Sequence, residues 1–522
     1  MPTESDDFDT ALELVEGGVG GLWMMGGLPY ERAAKLNTLQ AHAKVPLLVF
    51  SGDGLGKRMF SFGGETWRLG GGTDMPPAMA YGAIGDPAAA REAGRIIGLE
   101  ARATGLHMRG DPCLAVLTDL DDALHNRTFG DDPEQIGRLA AAFIQGAHEV
   151  GLFVTPGFFP GAGALASDPH VELPIERGDR AYFDSVYFVP FKHVIKAGTD
   201  LIISSHIGTP GLTGSDSLPA TLSPEITRIL REDLGFNGLL ITDAFAMGGR
   251  TNNYGIIEAT ILAFEAGNDF LLGTDPLKAA DTLAVLVQSG KYPVERLRKS
   301  VRRILEAKAR IGLHKNAIVS LDAVSKVVGR RSHQKAADSA ADRSIVLLRD
   351  RANLVPLTNP SELRVLSITF ETDDNKKAGT DFRKVLRSNV GSVKTVRVSP
   401  TSDPSIFSDL KEKASSFDLV ILSVYLRPQI GVRLEDQVKM SEQFVQFARQ
   451  LQSEGRRVVL ISFGELEVLE RLPDLGTFML AWSGQPVMQR AAARALLGIT
   501  PISGRLPLGL PPHHQRGDGL TR

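Results

Sequence analysis

The chain has 522 residues, 43% hydrophobic and 23% charged, with a formal net charge of −3. That length exceeds one ordinary domain and suits two with full cores, and the near-neutral balance gives no support to a nucleic-acid or membrane-surface partner. A single cysteine, Cys113, excludes an internal disulfide and a cysteine-based metal site, and no apolar run reaches membrane-spanning length.

In chain order, the N-terminus "MPTESDDFDTALELVEGG" is acidic and polar, unlike a secretory signal. The cytoplasm is therefore the default compartment, with export following only if a leader was removed upstream. A helix is predicted over residues 8–17. Short apolar runs then alternate with helical segments: "GLWMM" from Gly21, "PLLVF" from Pro46, "CLAVL" from Cys113, "GLFVT" from Gly151, "DLIIS" from Asp200, "GLLIT" from Gly238 and "DFLLG" from Asp269. Apolar runs bounded by turn residues suit buried parallel strands. Intervening segments such as "DPAAAREAGRIIGLEARATG" and "DPEQIGRLAAAFIQGAHEVG" open on Asp-Pro and close near Gly, the start and stop signals of helices. Repeated strand–helix units predict an α/β fold of the TIM-type (β/α) barrel class over residues 1–313. Seven strands are legible where a barrel needs eight, so the first is either absent or lies upstream. The basic run "ERLRKSVRRILEAKAR" reads as a solvated helix face.

A polar, basic connector is expected over 314–334. After it the alternation resumes with "LRVLSITF" from Leu363, "VKTVRVS" from Val393, "DLVILSVY" from Asp418, "RVVLISFG" from Arg457 and "TFMLAWS" from Thr477. Residues 335–522 are thus expected to form a smaller three-layer α/β sandwich domain. No G-x-G-x-x-G follows a strand and no Walker loop is present, so nucleotide binding has no support.

In a β/α barrel, chemistry sits where strands end and loops begin on the C-terminal face. That rule selects Asp243 after "GLLIT", His206 after "DLIIS", Asp119 after "CLAVL", Asp53 after "PLLVF", Arg127 in "ALHNRTFGDDP", and Asp168 and His170 in "GFFPGAGALASDPHVELP". An acidic residue after a strand often only caps the next helix, and a lone histidine is more often structural. Asp243 stands out because it follows an unbroken apolar strand and precedes the small, apolar "AFAMGG", in which Met247 joins the substrate-binding candidates. Together these residues make a chemical set: a carboxylate can attack an electrophilic carbon, and a carboxylate-oriented imidazole can give and take a proton near neutral pH.

"RTFGDDP", "LPATLSPEITRILREDLGFNGLLITDAFAMGG", "DRSIVLLRDRANLVPL" and "GITPISGRLPLGLP" lie in the order of a known family's segments. The chain resembles glycoside hydrolase family 3, the β-N-acetylglucosaminidase and β-glucosidase family. The resemblance implies a glycosidase hydrolysing O-glycosyl bonds, with Asp243 as nucleophile, His170 as acid/base and Asp168 as its orienting partner. In the family's K-H-F-P-G-H-G pattern, Phe159, Pro160, Gly161 and Gly163 match, but the Lys-His that grips sugar hydroxyls is Gly157-Phe158 here and the second His is Ala162. The third-strand loop D-Q-E-G-G-R-V-x-R reads "SGDGLGKRMFS", matching at Asp53 and Arg58 and lacking the second Arg. Each lost charge-assisted hydrogen bond costs about 1.5–3 kcal/mol, while Phe158 offers a stacking surface instead.

Three functions follow from this balance. The first is a retaining β-glycosidase most like a β-N-acetylhexosaminidase, with carbohydrate contacts from Asp53, Asp119, Arg127, Phe158, His206 and Met247. The second is a catalytically impaired, carbohydrate- or partner-binding homologue. The third, ranked last, is a glycoside phosphorylase. No metal is implied, since the histidines lack ligand spacing, and the mechanism needs no cofactor. Oligomeric state is not legible.

Overall fold

The computed structural model describes residues 2–4, 8–25, 28–51, 72–118, 127–163, 170–245, 254–372, 377–426, 438–464 and 466–522. Among the described residues, the N-terminal part holds seven parallel strands: β1 (Pro2–Glu4), β2 (Gly21–Met25), β3 (Leu48–Ser51), β4 (Met108–Arg109), β5 (Phe153–Val154), β6 (Leu201–Ser204) and β7 (Leu239–Thr242). The first five form one sheet in chain order, and β6 and β7 form another. A bridge from Phe159 to Ser204 connects them, and a bridge from Ile241 to Phe270 adds an eighth position. This is the strand order of a barrel with every neighbour joined but one: among the described residues no pairing links the Phe270 segment to β1.

The pleat divides the side chains. Trp23, Leu48, Phe50, Met108, Phe153, Leu201, Ile203, Leu239, Ile241 and Leu272 meet in one buried interior cluster. Their neighbours Leu22, Val49, Val154, Ile202 and Leu240 face the surrounding helices. Alternation of this kind is what a parallel sheet buried on both faces requires. The Asp-Pro starts are capped as their sequence suggests. Asp86 accepts from Ala88 N at 2.9 Å before the helix Pro87–Ala103, and Asp132 accepts from Glu134 N at 3.0 Å before Pro133–His148.

Two strand expectations are corrected. A first strand is present: the three-residue β1 pairs in register with β2, Pro2 opposite Trp23, ahead of the helix Phe8–Glu16. It carries no apolar run, so its pattern gave no signal. The strand expected at "CLAVL" is instead the two-residue β4 upstream, paired with Phe50 and Ser51. Residues 113–117 are buried and extended, but they run beyond the sheet and bond to loops.

Residues 314–334 contain the helix Leu321–Val327 and the start of Arg331–Ser344. The C-terminal part holds a six-stranded sheet ordered β10-β9-β11-β12-β13-β8. Its strands are β8 (Val346–Asp350), β9 (Arg364–Glu371), β10 (Ser392–Val398), β11 (Leu419–Tyr425), β12 (Val458–Ser462) and β13 (Thr477–Leu480). Only β8 is antiparallel. Central β11 and β12 are wholly buried, whereas edge strand β10 alternates exposed and half-buried residues.

Buried polar contacts knit the two parts together. Glu100 accepts from Thr73 N at 2.9 Å and Gly329 N at 3.0 Å, and meets His333 Nδ1 at 2.7 Å. Asp74 accepts from Val487 N at 2.7 Å and Gln485 Nε2 at 3.3 Å. Burial pushes the Asp74 carboxyl up to about 7.

Candidate active site

The strand ends place several of the candidate residues. Asp243 directly follows β7, which is buried along its whole length. Its backbone N–H donates to Ser204 O at 2.9 Å. Its Oδ1 accepts from Ala244 N at 2.8 Å, and the side chain is half-buried. Ser204, the last residue of β6, donates from Oγ to Asn268 Oδ1 at 2.8 Å, and Asn268 Nδ2 donates to Thr221 O at 2.9 Å. Ser204 and Asn268 therefore anchor the main chain at Asp243. Neither was selected from sequence; the signal available was a polar residue closing an otherwise apolar strand.

His206, two residues past β6, is 2% exposed. Its Nε2 lies 3.3 Å from Ala244 O, and its ring centroid is 5.6 Å from that of Phe245. The structure thus brings His206 and the residues flanking Asp243 together on adjacent strand ends. One strand further, Phe159 N donates to Ile203 O at 2.9 Å, and Phe159 O accepts from both Ser205 N and Ser205 Oγ at 2.9 Å. This fixes Phe158, which packs on a small apolar cluster of Cys113, Ala115, Ala162 and Ile207.

Arg127 stands over Phe158, its guanidinium carbon 5.4 Å from the ring centroid, within cation–π range. It is 7% exposed, and the next residue, Thr128, donates from Oγ1 to Ala115 O. Arg127 and Phe158, chosen separately from the sequence, form one unit. His170 is half-buried in a turn ahead of Ile175, which bridges to Gly208. Asp53, Asp119, Asp168 and Met247 lie outside the described residues. Among the described residues, no group of three or more His, Cys, Asp or Glu side chains is arranged to hold a metal ion.

One departure from the expected loop coincides with a close approach. A Cβ at Gly157 would stand 2.0 Å from Ile203 Cγ2, so a larger residue there requires the Ile203 side chain to move. The glycine and the β-branched side chain of Ile203 thus fit as a pair.

The family model for the glycosyl hydrolase family 3 N terminal domain matches residues 9–307. Over 520 residues, 94% of this chain and 88% of the relative, the chain is 26% identical to a beta-N-acetylglucosaminidase/beta-glucosidase of Cellulomonas fimi. The solved structure of a family 3 beta-N-acetylglucosaminidase from Paenibacillus sp. str. FPU-7 superposes with a TM-score of 0.83 at 26% identity, covering 97% of this chain and 96% of that one. A beta-glucoside phosphorylase, BglX, bound to 2FGlc shares the fold with a TM-score of 0.80 at 24% identity, covering 95% and 90% of the two chains. With more than half of its length matched by that family model, the chain belongs to glycosyl hydrolase family 3.

Proposed function

We propose that the chain is a retaining β-glycoside hydrolase of β-N-acetylhexosaminidase type. The observation that carries this reading is Asp243 at the end of the buried strand β7, its main chain bonded to Ser204 O; the family resemblance assigns the nucleophile to this residue. The Asp243 carboxylate attacks the anomeric carbon through an oxocarbenium-like state, and the glycosidic C–O bond breaks as His170 gives its proton to the leaving oxygen. Asp168 orients the imidazole. His170 then takes a proton from water, which attacks the glycosyl–Asp243 ester and releases the sugar with its configuration retained. Proton transfer of this kind contributes about 10²–10⁴ in rate. The Phe158 ring with Arg127 above it supplies an aromatic face and a cation where the family has Lys-His, so the sugar preference differs from the family's usual one. Likeness to the Cellulomonas fimi protein over nearly the whole chain supports the N-acetylhexosaminidase assignment.

A second reading, a catalytically impaired homologue that binds carbohydrate or a partner, draws on the apolar surroundings of Phe158. One assay separates the two. The protein is incubated with 4-nitrophenyl β-N-acetylglucosaminide and other aryl β-glycosides, with and without phosphate. Nitrophenol release that is lost in Asp243→Ala is the expected result. A sugar 1-phosphate formed only with phosphate would assign a phosphorylase. Sugar binding without turnover of any donor refutes the hydrolase reading.

A further inference from the structure

The loops above the strands are joined edge to edge by main-chain hydrogen bonds that run from Asp243 to the far end of the chain. Ser204 O accepts from Asp243 N at 2.9 Å, Phe159 O from Ser205 N at 2.9 Å, Ala162 O from Val116 N at 2.9 Å, Gly130 O from Leu117 N at 3.2 Å, and Pro507 O from Asp131 N at 3.3 Å. The outermost member is thus residues 506–510, more than 350 positions beyond Asp131 in sequence. Asp131 fastens it. Its Oδ2 accepts from Gly509 N at 2.8 Å and its Oδ1 from Arg516 Nη1 at 2.8 Å.

The fit is close. Gly130 has a φ of 140°, and a Cβ there would stand 2.2 Å from Pro507 O. Leu506, Leu508 and Leu510 are at most 2% exposed, so the segment is packed rather than laid on the surface. The residues it holds, 127–131, include Arg127 over Phe158. A long, flexible guanidinium binds a ligand well only when its supporting shell removes its freedom beforehand.

We propose that Asp131, through Gly509 and Arg516, is a positioning latch by which the C-terminal segment fixes Arg127 over Phe158 and so sets sugar affinity. This rests on the reading of Arg127 as a sugar contact. Asp131 touches no substrate and acts through Arg127.

The test is a mutant cycle read by KM and kcat on 4-nitrophenyl β-N-acetylglucosaminide, with amide hydrogen exchange at Leu117 and Asp131 as a readout independent of turnover. Asp131→Ala is expected to raise KM about tenfold, the order of one charge-assisted hydrogen bond, with kcat held within about threefold. Asp131→Asn, which can still accept from Gly509 N, recovers part of the loss. Asp131→Ala adds nothing to Arg127→Ala in the double variant. Exchange at both amides quickens in Asp131→Ala and in Arg516→Ala. An unchanged KM in Asp131→Ala when Arg127→Ala raises it, or effects that multiply in the double variant, overturns the latch. If Arg127→Ala leaves KM unchanged, Arg127 is no sugar contact and the role in affinity falls, while exchange still reports whether the segment fastens the loop. Should Asp131→Ala not fold, Arg516→Ala carries the cycle, since the Arg516 side chain is 48% exposed.

Discussion

Asp74→Asn tests how the two parts of the chain are held together. Asp74 is 5% exposed and accepts from Val487 N and Gln485 Nε2. The charged groups facing it are Arg490, which lowers its pKa, and Asp381 and Asp338, which raise it; burial outweighs them and brings the carboxyl from 3.8 to about 7. Between pH 4 and 7 the folded chain therefore keeps a proton that the unfolded chain has released. Stability associated with this group is fully present below about pH 4, declines as pH rises, and levels off above 7. A displacement of about 3 pH units at 1.36 kcal/mol each sets an upper figure of ~4 kcal/mol. Unfolding entropy of ~2.1 cal/mol/K per residue over 522 residues makes that ~4 °C in midpoint if the chain melts as one unit. Asparagine stays neutral at every pH and can still accept from Val487 N. The assay is the melting midpoint of both proteins from pH 4.5 to 8.5. The variant should gain on the native chain as pH rises, with most of the gain before pH 7.5. A difference that stays constant across the range would show that Asp74 ionises at its ordinary pKa and that the interface does not desolvate it.

Two further outcomes follow from packing. Asp269, whose side chain is fully buried, accepts from Arg231 Nη2 at 3.1 Å, Arg303 Nη1 at 3.3 Å, Leu240 N at 3.2 Å and Ser300 Oγ at 2.5 Å, with Arg296 3.6 Å away. Asp269→Ala strands these cations and should cost about 3–5 kcal/mol, read as a lowered urea midpoint at unchanged slope; a loss under 1 kcal/mol would refute the hub. Gly157→Lys should cost about 1–3 kcal/mol by overpacking Ile203, and Ile203→Ala should relieve rather than add to that cost when the two are combined.

Much of the fold was legible because burial writes itself into short apolar runs. β2, β3, β6, β7, β11 and β12 all coincide with such runs, since strands covered on both faces must be apolar throughout. The failures have equally physical causes. β4 is Met-Arg, and its buried arginine has Asp111 2.9 Å away; a single-sequence pattern reads such an arginine as exposed. Residues 113–117 are apolar without being a strand, because they are covered by loops rather than by a sheet neighbour. β8, antiparallel at the edge beside β13, is Val-Leu-Leu-Arg-Asp, too short an apolar run ending on charge to stand out as a strand. At the candidate site, the place of Asp243 at a strand end was legible from the apolar run before it, whereas the contact of Ser204 with Asn268 joins residues 64 positions apart and leaves no trace in local sequence.

The departures around Gly157 also belong together physically. Read residue by residue, the loop has lost a lysine and two histidines, which suggests decay. In the fold, Gly157 leaves no room for a Cβ beside Ile203, and Ala162 is fully buried with Cys113, Ala115 and Ile207 under Phe158. Arg127 lies along that ring. A neglected polar site would keep the cavity left by its lost side chains, and with it the cost of unpaired buried groups. Here the small residues are filled against one another and one aromatic ring, with a guanidinium fastened above it from the far end of the chain. On the proposed function, this packing predicts a sugar that presents an apolar face to Phe158 and an acceptor to Arg127, in place of one whose hydroxyls need a lysine and a histidine.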